Sequence, residues 1–165
     1  RSGATFPYAS TTTSPAGRAI PGKQQPKKPL PFIMAAHGIQ YAASANVSNI
    51  IDLKNKVEKA LAVDGPSFLH VFTPCTPGWK IDASSTITVA RKAVETWVAP
   101  IYEIEKGIIK LNQKPSPAPV EEYLMLQGRF KHVTPDIAKK IQAYVDKRRK
   151  FLEENEGKQI FDLLY

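Results

Sequence analysis

The chain has 165 residues, of which 42% are hydrophobic and 23% are charged, and this is the composition of a soluble globular domain with a buried core. It excludes a wholly disordered chain, a coiled coil and a collagen-like repeat. The net charge of +8 is compatible with a nucleic acid, an acidic protein or another anion as partner. The single cysteine, Cys75, excludes an intrachain disulfide framework and favours a reducing, cytoplasmic location.

The first 28 residues are predicted to form a loop, because Gly, Ser, Thr and Pro dominate and no hydrophobic period is visible. No acidic residue precedes Asp52, which is typical of a transit peptide, a nucleic-acid arm or an anion-binding surface. Prolines between positions 15 and 31 exclude the amphipathic helix of a transit peptide. The chain begins with Arg1, so we expect a processed protein or a piece of a longer one. Polar residues interrupt the longest uncharged stretch, 29–47, so no membrane span is expected.

Helices and strands are predicted to alternate from residue 30 onward. A short helix over 32–36 ends at Gly38, and small residues over 41–45 predict a strand. A helix over 50–61 follows, capped by Ser48 or Asn49 and ended by Gly65 and Pro66. Its apolar stripe consists of Ile50, Leu53, Val57 and Leu61, and its wet face carries Lys54 and Glu58.

The next elements predict an α/β fold. Apolar residues over 68–72 indicate a strand covered on both faces, as in a parallel sheet. A helix over 87–97 is stopped by Pro100, and 101–104 is the next strand. Strand and helix therefore alternate, and we predict a doubly wound, mostly parallel α/β sheet with right-handed crossovers.

The last third of the chain is predicted to be a helical extension. Residues 107–113 form a hairpin with the preceding strand, and three prolines make 114–119 an extended linker. A short helix over 120–126 and a long basic helix that begins at Thr134-Pro135-Asp136 follow. Its predicted packing face consists of Ile137, Ile141, Tyr144, Arg148 and Phe151. We therefore divide the chain into an α/β part, 1–113, and a linker with a helical extension, 114–165.

Cys75 is the position most open to chemistry. It lies directly after the predicted strand 68–72, and open α/β sheets bind ligands outside the carboxyl ends of their strands. The amides of Thr76 and Gly78 are free to donate to a sulfur anion. The residues leave three interpretations open: an iron–sulfur ligand, a nucleophile, or a half-buried free thiol.

The other polar motifs indicate no recognisable site. His37, His70 and His132 lack metal-ligand spacing; we expect His70 to lie in the core, and a structural role is favoured for His37 over a place at a site. The run from Lys23 to Lys28 and the basic last helix are interpreted as solvated surface, or alternatively as docking sites for an acidic partner or a nucleotide phosphate. Residues 1–5 can bind phosphate, but they match no P-loop or GxGxxG spacing.

Several stretches in the same order resemble one family over nearly the whole chain. They are Arg1-Ser2-Gly3-Ala4-Thr5, 11–17, Lys27-Lys28-Pro29, 33–37, Pro74-Cys75-Thr76-Pro77-Gly78-Trp79, 93–96, 100–104 and 126–132. Together they are similar to the C-terminal half of the β subunit of pyruvate:ferredoxin oxidoreductases. The resemblance implies a doubly wound fold of the thiamine-diphosphate-binding type, which holds thiamine diphosphate through Mg²⁺ and a [4Fe-4S] cluster nearby.

The resemblance also implies roles for particular residues. Cys75 corresponds to the family's last cluster ligand, which is remote from the other three. Ser2, Gly3 and Thr5 lie in a loop that contacts thiamine diphosphate. The family's Gly-Asp-Gly and Asn-Thr-Gly motifs and its other cluster cysteines would precede Arg1, so we expect this chain alone to be inactive.

The implied activity is the reversible oxidative decarboxylation of pyruvate with coenzyme A to acetyl-CoA and carbon dioxide, with electrons passing through the cluster to ferredoxin. The implied partners are the other subunits of the complex and ferredoxin, and neither a nucleic acid nor a membrane is expected. Two alternatives are the same chemistry on another 2-oxoacid, and a basic nucleic-acid-binding module supported by charge alone. A stand-alone cysteine hydrolase would require a thiolate of depressed pKa beside a histidine.

Overall fold

A computed structural model describes Tyr8, Gly22 and residues 24–162. The helices of this part are α1 (Leu30–Ala35), α2 (Ile50–Ala62), α3 (Thr76–Trp79), α4 (Thr86–Glu95), α5 (Val120–Leu124) and α6 (Pro135–Asn155). The strands are β1 (Tyr41–Asn46), β2 (Ser67–Phe72), β3 (Tyr102–Glu105) and β4 (Ile108–Leu111). Two 3₁₀ turns, Ala83–Ser85 and Gly128–Phe130, complete the described elements.

The described strands form one mixed sheet in the order β2-β1-β3-β4. β1 and β2 are parallel and joined through α2, with Tyr41 opposite Ser67, whereas β3 runs antiparallel to β1 and β4 antiparallel to β3. The α/β class is confirmed, but the prediction of a mostly parallel sheet is wrong for this part of the chain. The physical reason lies in the connection through α3 and α4. It starts at the edge of the sheet where β2 ends and stays at that edge, so β3 begins there and runs opposite to β1 and β2.

Strand β2 is less covered than its composition predicts. It lies at the end of the described sheet, paired along one side with β1. Phe72 is buried, but Val71 is exposed, and Phe68, Leu69 and His70 are half-buried. The prediction of a strand covered on both faces is therefore wrong within residues 24–162.

Local signals placed most element ends correctly. The Asn49 side chain caps α2 by accepting a hydrogen bond from the Asp52 amide at 3.2 Å, and Thr134 caps α6. Gly38 adopts a left-handed φ of 76° after α1, a conformation that favours glycine. The hairpin of β3 and β4 is confirmed.

Helix α2 faces the sheet with polar side chains. Lys56 is only 1% exposed and donates hydrogen bonds to the Ser44 carbonyl and to Asp52, both at 2.8 Å. Ile50 and Leu61 of the predicted apolar stripe are 69% and 81% exposed. The prediction therefore placed the buried face on the wrong side of α2. Lys56 can occupy the buried face because the Ser44 carbonyl and the Asp52 carboxylate accept its hydrogen bonds.

The core lies between the sheet and the helices on its faces. It includes Val89, Ile104, Val120, Ile141 and Leu152, so residues before and after position 113 share it. The long C-terminal helix is confirmed, with its most buried side chains at Ala138, Ile141, Val145 and Leu152, a face shifted slightly from the predicted one. Within the described residues no helix has the length and apolar character needed to cross a bilayer.

Candidate functional site

Cys75 lies at the rim of the sheet, where its sequence position placed it. The Cys75 loop, residues 73–79, leaves the carboxyl end of β2 and turns into α3. Within this loop Pro74 and Trp79 are buried, whereas the Cys75 side chain is exposed. The Cys75 carbonyl accepts a hydrogen bond from the Trp79 amide at 2.8 Å, which closes the turn. The thiol is therefore presented outward on an anchored loop.

The space beside the thiol depends on Gly78. A Cβ at Gly78 would lie 3.1 Å from the Cys75 Sγ, which is tighter than ordinary contact. A glycine therefore leaves room for a ligand to approach the sulfur. In the described loop no capping hydrogen bond to the Cys75 side chain forms, so the predicted amide donors are not engaged with the sulfur.

Arg129 lies close to the Cys75 loop and escaped the sequence analysis. Its guanidinium carbon is 3.6 Å from the centre of the Trp79 ring, and the residue is fully buried. The Gly128 amide donates to the Lys80 carbonyl at 3.2 Å and brings the two segments together. The one signal for Arg129 in the sequence was its place in the Gly-Arg-Phe segment of 126–132, a stretch that resembles the oxidoreductase family.

The charge of Arg129 is incompletely satisfied. Burial lowers its pKa, while the nearby Tyr123 and Cys75 act in the opposite direction. Its Nε donates to Gln127 and its Nη2 to the Tyr123 hydroxyl. The buried Nη1 has no hydrogen-bond partner among the described residues. A buried, unpaired donor of this kind, packed on Trp79 of the loop that carries the exposed thiol, fits a site for an anionic group.

These features fit one corner of an iron–sulfur cluster. A thiol is the donor that such clusters prefer, the glycine leaves room at the sulfur, and Arg129 supplies positive charge. No group of three or more His, Cys, Asp or Glu residues within the described part of the chain could hold a metal ion. Because the chain has a single cysteine, the remaining cluster ligands would have to come from other sequence.

The other predicted site residues are not brought to this loop by the described structure. Ser2, Gly3 and Thr5 lie outside the described residues. His37 is exposed after α1. His132 shares a hydrogen bond with the Tyr8 carbonyl, with 2.6 Å between the two atoms.

A second concave surface joins two basic segments that the sequence analysis treated separately. A cavity of about 750 Å³ between α1, β2 and α6 is lined by Lys27, Lys28, His70, Lys147 and Arg148 together with apolar side chains. His70 is half-buried at this cavity instead of lying in the core as predicted, and burial, together with Lys27, lowers its pKa. The Arg148 guanidinium donates to the carbonyls of Trp97 and Val98, so this member of the basic helix has a structural role.

Comparison with known proteins connects the chain to a class of enzymes. No family model matches the chain. The chain is nevertheless homologous to the B subunits of 2-oxoacid oxidoreductases, as the resemblance of its motifs predicted.

The similarity covers nearly all of this chain. It is 47% identical over 153 residues to pyruvate synthase subunit PorB of Methanocaldococcus jannaschii, which is 92% of this chain and 51% of that protein. It is 47% identical over 154 residues to PorB of Thermotoga maritima, 90% of this chain and 48% of that protein. Ketoisovalerate oxidoreductase subunit VorB of Pyrococcus furiosus is 40% identical over 143 residues, 84% of this chain and 46% of that protein. The chain thus spans about half the length of the curated relatives it matches.

Proposed function

We propose that this chain is part of the B subunit of a 2-oxoacid:ferredoxin oxidoreductase, and that Cys75 is one ligand of its [4Fe-4S] cluster. The exposed thiol at the carboxyl end of β2, in a chain homologous to PorB, carries the proposal. The nucleic-acid alternative rests on charge alone, and the relatives named above are oxidoreductase subunits.

The proposed reaction is the reversible oxidation of pyruvate with coenzyme A to acetyl-CoA and carbon dioxide, with electrons passing to ferredoxin. Pyruvate is favoured because PorB relatives are 44–49% identical to the chain, against 40–41% for VorB relatives. When bound, thiamine diphosphate supplies the electron sink for decarboxylation and an iron–sulfur cluster accepts electrons singly. We propose that Ser2, Gly3 and Thr5 contact the thiamine diphosphate, which Mg²⁺ holds in place.

The Cys75 loop has a limited task in this scheme. Its buried anchors, Pro74 and Trp79, hold the backbone while the thiol remains exposed. A ligand on such an anchored loop keeps its position when the charge of the cluster changes, which reduces reorganisation during electron transfer.

The net charge and the exposed apolar surface support further partners. Ferredoxins are usually acidic, so a chain of net charge +8 is suited to attract one. The exposed Ile50, Ile51 and Leu61 of α2 form an apolar surface that is unusual on a monomer. We propose that this surface packs against the part of a PorB-length subunit that this chain does not cover, since the relatives are about twice as long.

Replacement of Cys75 by Ala in the full-length subunit, purified within its complex, tests the proposal. We expect loss of one cluster's iron and of its electron paramagnetic resonance signal, together with loss of electron transfer to ferredoxin, while the fold is retained. Thr73→Ala, at an exposed position of the same loop, is the matched control. An unchanged iron content and an unchanged spectrum in the Cys75 variant would reject the assignment.

The substrate requires a separate measurement. Values of kcat/KM for pyruvate and for ketoisovalerate, measured with the same complex, decide between the two branches. We expect pyruvate to be preferred, and a preference for the branched substrate would assign the chain to the other branch.

A further inference from the structure

Arg129 carries a buried positive charge, and no carboxylate of the described residues pairs with it. The residue is 0% exposed, and its hydrogen-bond partners are the neutral side chains of Gln127 and Tyr123, at 2.8 and 2.9 Å. Its guanidinium lies over two aromatic rings, 3.6 Å from the centre of Trp79 and 4.7 Å from that of Phe130. A charge removed from water in this way is unfavourable unless an anion compensates it.

The location of this charge is set by the Cys75 loop. Arg129 packs on Trp79, and the Trp79 amide is bonded to the carbonyl of Cys75. The hydrogen bond from the Gly128 amide to the Lys80 carbonyl holds the segment that carries Arg129 against the residue that follows the Cys75 loop. The two backbones are close there, since a Cβ at Gly128 would lie only 2.8 Å from the Lys80 Cβ. The guanidinium is therefore held at a fixed position against Trp79 of the Cys75 loop, and its buried Nη1 has no hydrogen-bond partner among the described residues.

An iron–sulfur cluster bound by four thiolates is such an anion. Four thiolates outweigh the positive charge of the iron–sulfide core, so the cluster is negative when oxidised and gains one more negative charge on reduction. A fixed cation nearby stabilises the reduced form more than the oxidised form, which raises the reduction potential.

We propose that Arg129 is a positioning residue for electron transfer: its buried guanidinium is the fixed counter-charge of the cluster that Cys75 ligates and raises the reduction potential of that cluster. The inference rests on the proposed function, because it requires Cys75 to be a cluster ligand.

A potentiometric titration of the full-length subunit in its complex, followed by electron paramagnetic resonance, tests the inference. Arg129→Met removes the charge, and Arg129→Lys retains it. Arg148→Met removes a second, half-buried guanidinium, whose hydrogen bonds go to the Trp97 and Val98 carbonyls. At the wild-type midpoint potential we expect R129M to raise the oxidised-to-reduced ratio at least tenfold, or about 59 mV for a one-electron couple, whereas R129K and R148M change it less than threefold.

A second variant keeps the test decisive if R129M does not assemble. Gln127→Glu places a carboxylate next to the Arg129 Nε, which neutralises the charge without removing the side chain. We expect Q127E to lower the midpoint potential in the same direction. The control Gln142→Glu alters a residue that accepts from the Val120 amide instead, and its midpoint potential should be unchanged.

The two proposals fail in different ways. If Cys75→Ala leaves the cluster content intact, the proposed function is rejected whatever Arg129 does. If Cys75 is required for the cluster but neither R129M nor Q127E lowers the potential, the role of Arg129 is rejected alone. An equal shift in R129K and R129M would also reject it, because charge would then not be the cause.

Discussion

The Glu103 carboxylate on β3 accepts a hydrogen bond from the Tyr41 hydroxyl on the neighbouring strand β1, with 2.6 Å between the oxygens. Its other oxygen accepts from Lys59 on α2 at 2.8 Å and from Asn112 at 3.0 Å. Burial raises the pKa of Glu103, but the Lys59 ammonium and the hydrogen bonds of Tyr41 and Asn112 outweigh it and lower the pKa to about 2. This carboxylate therefore joins α2 to the sheet.

Replacement of Glu103 by Gln should destabilise the chain by about 3 kcal/mol at neutral pH, because the fold lowers the pKa of Glu103 to about 2 and so stabilises the ionised carboxylate. Urea denaturation followed by circular dichroism measures the free energy of unfolding. Glu105→Gln is the matched control, since that carboxylate is largely exposed and 3.9 Å from Lys59. A loss below 0.5 kcal/mol in the Glu103 variant (roughly the scatter of surface substitutions) would contradict the assigned role.

The stabilisation by Glu103 should depend on pH. Its pKa in the folded state, about 2, is below the value of about 4.3 expected in the unfolded chain. The contribution is therefore fully present above the unfolded value and is lost as the pH falls from about 4.3 toward 2. We expect the stability difference between wild type and Glu103→Gln to shrink over this interval; a constant difference would show that the charge is not its source.

Helix α2 should tolerate polar substitutions on its outer surface in the 165-residue chain. Leu61→Gln is expected to change the free energy of unfolding by less than about 0.5 kcal/mol, because Leu61 is 81% exposed. The buried Ile104, changed to Ala, should cost about 3 kcal/mol. In the full-length subunit Leu61→Gln should become destabilising, and equal tolerance in both proteins would argue against a partner on this surface.

The close approach of Gly128 to Lys80 should make a methyl group costly. Gly128→Ala is expected to destabilise the chain by about 1–3 kcal/mol, because its Cβ would lie 2.8 Å from the Lys80 Cβ. Lys80 has a left-handed φ of 54°, which suits glycine, so Lys80→Gly removes the clashing atom without strain. A double-mutant cycle by urea denaturation should show a smaller cost of Gly128→Ala in the Lys80→Gly background, and additive costs would place the clash elsewhere.

The positions that sequence analysis predicted well depend on neighbours in the chain. The caps at Asn49 and Thr134, the turn after Gly38 and the exposed Lys54–Glu58 pair, at 3.3 Å, all lie where the sequence placed them. The same holds for Cys75, whose exposure at the end of β2 follows from strand and loop order. The side of α2 that is buried was predicted wrongly, because periodicity cannot show that Lys56 finds an acceptor on β1.

The amino-acid sequence by itself determined the order of the longer helices and the strands, most of their ends and the place of the single thiol, because capping, backbone restriction and periodicity act within a few residues; the short helix α3 was not predicted. Only the tertiary structure decided the reversed direction of β3, the polar contact between α2 and the sheet, and the position of Arg129 over Trp79. These depend on contacts between segments far apart in the chain, where the balance between burial, charge and hydrogen bonding is settled only when the segments meet.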